Sequence, residues 1–152
     1  MKQIRIKVNK IIERFLVLIL VGMVLNVIWQ VFTRFFTSSP SAFTNELARY
    51  LMIWLGILGA AYISGKQEHV AIDFFVKKLN NSLLRFIDRF VLFSILSFAF
   101  FVMIIGGINL VYITLKLEQY SPSLQIPLAL VYSIIPISGL LIIFYKVTQE
   151  KS

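Results

Sequence analysis

The sequence predicts an all-α integral membrane fold: four transmembrane helices plus a short amphipathic helix lying at one interface. Three observations carry that prediction. Of the 152 residues, 59% are hydrophobic, and the mean hydropathy is +0.85, too apolar for a soluble domain. The apolar residues fall in long runs with no ionisable side chain, 19 residues at Phe15–Thr33 and 26 at Phe90–Leu115, more than a globular core helix requires. Lys and Arg collect at the ends of these runs. The net charge of +8 is therefore a matter of membrane topology, because the basic residues form neither one face nor an aromatic-interleaved strip that would suit nucleic acid. There is no cysteine, which excludes disulfides, a thiolate nucleophile and a cysteine metal site.

The chain reads as a single membrane domain over 1–152, with spans near 12–36, 46–65, 83–115 and 127–146 and an interfacial helix near 69–80. The first 14 residues hold five basic side chains against Glu13 and form a flank. Span one follows and closes at Arg34, with Trp29, Phe32, Phe35 and Phe36 crowding its far end as an aromatic belt. A cleavable signal peptide is the rival reading, but the run is longer than an h-region and lacks an A-x-A site. Pro40 then stops one helix, and Thr44 or Asn45 can cap the next.

Span two has 16 uncharged residues between Arg49 and Lys66, about 24 Å, so it must use its polar ends to cross. Glu46 lies one turn before Arg49 and can pair with it, as an interfacial anchor or as a contact with a partner or headgroup. Gly56, Ala60 and Ser64 recur every four residues with Gly59 beside them, a face on which another helix can approach closely. The following stretch is too charged to span; Ile72, Phe75, Val76 and Leu79 fall at helical spacing, with His69 and Asp73 four apart, which predicts a helix lying in the interface among phospholipid headgroups. Span three starts amphipathically, and its uncharged run of about 39 Å requires tilt. In span four Pro127 suits a first helical position, and Pro136 removes one ladder bond, predicting a kink.

With the N-terminus inside, cytoplasmic segments carry twelve of the 15 Lys and Arg residues, and only Arg34, Arg49 and Lys116 lie outside. That places both termini in the cytoplasm. No nucleophile and base, metal cluster or P-loop can be assembled, so an enzyme is not expected, nor any cofactor. The spans hold Asn26, Gln30 and Asn109 but no charge at mid-depth, which favours an accessory subunit whose partner carries the solute path. A stand-alone small exporter and a membrane anchor for a redox enzyme are the alternatives.

Arg34-Phe after span one, Glu46-Leu-x-Arg49, the W-L-G-x-L-G-A-A run from Trp54, K-Q-E-H-V-x-I-D through His69 and Asp73, and S-P-S-L-Q-I-P with the later I-P-I-S around Pro136 resemble the DctQ-like small membrane subunit of tripartite ATP-independent periplasmic (TRAP) transporters. The resemblance covers nearly the whole chain. It departs at Asn45, where many members have an acid. It implies a bacterial inner-membrane complex in which a large membrane subunit holds the coupling sodium ions and moves substrate, and a periplasmic substrate-binding protein delivers an organic acid such as a sialic acid or a dicarboxylate. Arg34, Glu46 and Arg49 are then expected at a subunit or docking interface, and Gly56, Gly59, Ala60 and Ser64 in helix packing.

Overall fold

The structure, a computed structural model, describes residues 2–37, 42–66 and 81–150. Every element among them is helical apart from a tight hairpin-like loop. Helix α1 runs Lys2–Thr37 and α2 runs Ala42–Gly65. Helix α3, Asn81–Ser97, passes without a break into a π-helix, Phe98–Gly106, and then into α4, Gly107–Lys116. Two segments make the last span, α5 at Leu128–Tyr132 and α6 at Ile134–Glu150. Four stretches are long and apolar enough to cross a membrane: Gln3–Phe36, Ala42–Gly65, Arg85–Lys116 and Leu128–Thr148. The predicted interfacial helix, with His69 and Asp73, lies outside the described residues.

Spans two and four form the centre, with span one on one edge and span three on the other. Two small clusters hold this arrangement. Ile12, Leu58, Ile134 and Tyr145 join spans one, two and four; Ala61, Ala99 and Ile142 join spans two, three and four. The start of α1 and the end of α6 lie at one end, the terminal end, while the 117–127 loop lies at the other, the loop end. Most large apolar side chains on the outside are exposed, as a lipid-facing surface requires.

Span four meets span three through glycine rather than through large side chains. A Cβ on Gly107 would stand 2.8 Å from Pro136 Cδ, and one on Gly139 would stand 2.9 Å from Met103 Cβ and 3.1 Å from the Ala99 carbonyl. Lipid tails supply no hydrophobic drive between helices, so close backbone approach and dispersion take its place. Ala99, Met103 and Gly107 all face span four at intervals of four residues, across the π-helical turns. Such turns change the helical register locally, which sequence periodicity does not signal.

Pro136 leaves the Tyr132 carbonyl without its usual ladder donor, and the helix is interrupted at Ser133. The ends of the break are tied locally. Ser133 Oγ donates to the Leu130 carbonyl at 2.7 Å, and the Trp54 indole N–H of span two donates to the Val131 carbonyl at 3.0 Å. Pro127 stands one place before the helix, with φ −58° and ψ 124°, instead of at its first position. Helix α2 starts at Ala42, so Thr44 and Asn45 sit inside its first turn and do not cap it.

Candidate subunit interface

At the terminal end, polar side chains tie three spans together. The Arg5 guanidinium donates to the Gly65 carbonyl, closing the C-terminus of α2 beside the Lys66 N to Ile63 carbonyl hydrogen bond of 2.9 Å. Tyr145 packs its ring where a Gly65 Cβ would be, at 2.7 Å, and donates its hydroxyl to Asn9 Oδ1 at 2.6 Å. The Tyr62 hydroxyl donates to the Glu13 carboxylate, and Lys66 Nζ lies 3.6 Å from the same carboxylate and 4.8 Å from the Tyr62 ring centre. Tyr62 and then Glu13 hold the Lys66 ammonium protonated above the usual lysine range.

The loop end is built on Asn26 and Glu46. Asn26 is buried and donates to the Thr44 carbonyl at 2.8 Å, while Gln30 donates to Asn45 Oδ1 at 3.2 Å. These two amides pin span one to the start of span two. Glu46 Oε2 accepts the backbone N–H groups of Ser123 at 2.9 Å and Leu124 at 3.0 Å, and Oε1 accepts the Tyr50 hydroxyl at 3.2 Å. One carboxylate thus holds the loop between spans three and four against span two. That loop closes on itself through Leu128 N to the Gln119 carbonyl and Ser121 N to the Ile126 carbonyl, both 2.9 Å, with Glu118 and Gln125 in left-handed conformations.

The expected Glu46–Arg49 pair is not what forms. Among the described residues no ion pair joins them; Glu46 turns to the loop amides, which offer fixed, charge-assisted hydrogen bonds, and Arg49 points outward and is exposed, as is Arg34. Within the chain, span two packs on a different face from the one that carries Gly56, Gly59, Ala60 and Ser64. Leu58, Ala61 and Gly65 are buried, whereas Gly56 and Ala60 are exposed and Gly59 and Ser64 half-buried. A Cβ placed on Gly56 or Gly59 meets nothing within 4 Å. The stripe of small residues therefore faces away from the other three spans. Sequence reasoning missed Gly107 and Gly139, of which Gly139 alone had a signal, three residues from Pro136 in the chain; Asn26 was singled out as a polar residue in an apolar run, but its tie to Thr44 was not.

Among the described residues no group of His, Cys, Asp and Glu could hold a metal ion. The arrangement is one of helix packing and hydrogen-bonded ties, with an apolar exterior. It defines a small polytopic membrane subunit. The family of tripartite ATP-independent periplasmic transporters, DctQ component, matches residues 23–149, and the chain belongs to that family. It is 29% identical over 145 residues to a TRAP transporter small permease protein of Haemophilus influenzae, covering 93% of this chain and 86% of that one. Over 102 residues it is 34% identical to the C4-dicarboxylate TRAP transporter small permease protein DctQ of Rhodobacter capsulatus, 66% of this chain and 44% of the relative. A third match, 36% over 62 residues, is to the sialic acid TRAP transporter permease protein SiaT of Haemophilus influenzae; it takes in 41% of this chain but 10% of that much longer one.

Proposed function

We propose that this chain is the accessory small permease of a sodium-coupled, binding-protein-dependent importer of an organic acid in the bacterial inner membrane, and that it braces a large transport subunit within the bilayer. The observation that carries this reading is the open face of span two, where Gly56, Gly59 and Ala60 offer a close-approach surface that no helix among the described residues uses. Kinship with a segment of a much longer permease chain supports the same partner. Asn26 and Gln30, two of the three span amides that a stand-alone exporter could use for its path, are engaged in tying spans one and two together. Coupling sodium ions and the substrate route belong in the large subunit on this reading.

The loop held by Glu46 faces the periplasm when both termini are cytoplasmic, and it forms part of the surface on which a periplasmic substrate-binding protein docks. Relatives named for sialic acid and for C4-dicarboxylate transport bracket the substrate as a carboxylate-bearing metabolite. Co-expression with the neighbouring large permease tests the assignment. The wild-type chain is expected to elute with it in mild detergent, and Ala60→Trp to elute apart while melting as the wild type does. Purification of the wild-type chain alone, with solute transport by that chain in proteoliposomes, would overturn it.

A further inference from the structure

Asn109 occupies an unusual position. It lies on α4, exposed, and among the described residues its carboxamide makes no hydrogen bond. Its depth follows from its neighbours: Gly107 touches Pro136, in the middle third of span four, and Asn109 is two residues, about 3 Å, further along the helix. Lys116, which closes the span, is seven residues or about 10 Å away. The amide is thus inside the hydrocarbon layer, where water cannot satisfy it. The surrounding surface is apolar, with Ile105, Ile108, Tyr112 and Ile113 exposed. One turn before Asn109, Gly106 is exposed as well, and a Cβ there meets only the Phe101 carbonyl of its own helix, at 3.7 Å. Polar side chains at the loop end show what this chain does with amides it buries: Asn26 is matched to a carbonyl.

We propose that Asn109, with Gly106 admitting a close neighbour, hydrogen-bonds to a polar group on a transmembrane helix of the large permease, forming a second contact with that subunit besides the face of span two. The inference rests on the partner assigned above. An amide at this depth is matched by a hydroxyl, an amide or a freed backbone carbonyl at the same level of the partner helix, a contact that fixes register where apolar packing alone slides.

The test uses the co-expressed complex. Asn109→Leu is expected to weaken co-purification about three- to thirtyfold, the range of one interhelical hydrogen bond in a membrane, and Asn109→Gln to retain more binding than leucine does. The isolated chain should melt identically with either substitution, since the amide makes no hydrogen bond among the described residues. A photo-crosslinking residue at Ile113, on the same face, should capture the large permease, and one at Leu18 on span one serves as the control. Unchanged co-purification of Asn109→Leu, crosslinks only to lipid or to a second copy of this chain, or unfolding of the isolated variant would each overturn the proposal. If the wild-type chain itself fails to co-purify, the parent assignment falls and takes this one with it; a wild type that binds beside an indifferent leucine variant sinks this one alone.

Discussion

Two glycines and one carboxylate show most directly how single residues shape this protein. Gly139 admits the backbone of span three, and a side chain there would crowd Met103 Cβ, which no rotamer change moves, and the backbone carbonyl of Ala99. Gly139→Leu should destabilise the purified chain by about 1–3 kcal/mol, read as a lower melting temperature in detergent. Gly56→Leu, at an open position of similar sequence character, should leave that melt unchanged. The contrast separates glycines used inside the chain from those turned outward. At Glu46, substitution by glutamine keeps the shape but removes the charge from the hydrogen bonds to Ser123 and Leu124. Amide exchange at those two residues should quicken while exchange along α2 stays as in the wild type, and equal rates at the loop in both proteins would refute the clamp. Glu46 was legible in the sequence as an acid at a helix entrance, expected to pair with Arg49. Its acceptor role was not, because the loop amides that it meets are 77 and 78 residues away.

At the scale of helices, the break at Ser133 gathers several dependencies. Pro136 removes a donor, and the exposed carbonyl chain is then steadied by Ser133 and by Trp54 of a different span. Trp54→Phe keeps the ring beside Phe15, whose centroid is 5.9 Å away, but leaves the Val131 carbonyl without that donor. A loss of about 1 kcal/mol in chain stability is expected, because a polar group inside a membrane must find its partner in the protein. The break in span four was legible from one proline. The π-helical stretch in span three was not, since its apolar composition is the same as that of an α-helical span. The small-residue stripe of span two was legible as a pattern, but the side on which span two packs within the chain was not, because span two carries small residues on two sides and Ala61 and Gly65 take the inner one.

The whole molecule is a narrow assembly in which two central spans carry one flanking span each, with little surface buried for so apolar a chain. Such a shape presents broad faces to lipid and to a partner, in keeping with an accessory subunit. Its orientation is testable: single cysteines introduced into this cysteine-free chain at Ser123 and near the C-terminus should label from opposite sides of the membrane, Ser123 from the periplasm, and labelling of both from one side would reject the four-span topology. The number of spans and the family motifs were present in the linear order of residues, because bilayer thickness and the cost of charge in hydrocarbon act on each segment separately. The neighbour order one, two, four, three and the tie from Asn26 to Thr44 were decided only by tertiary structure. So were the clasp of Arg5, Asn9 and Tyr145 around Gly65, and the outward turn of Gly56 and Ala60. Lipid exerts no pull that sorts one apolar helix face from another, so the rotation of each span is set by steric fit and by a few hydrogen bonds between residues far apart in the chain.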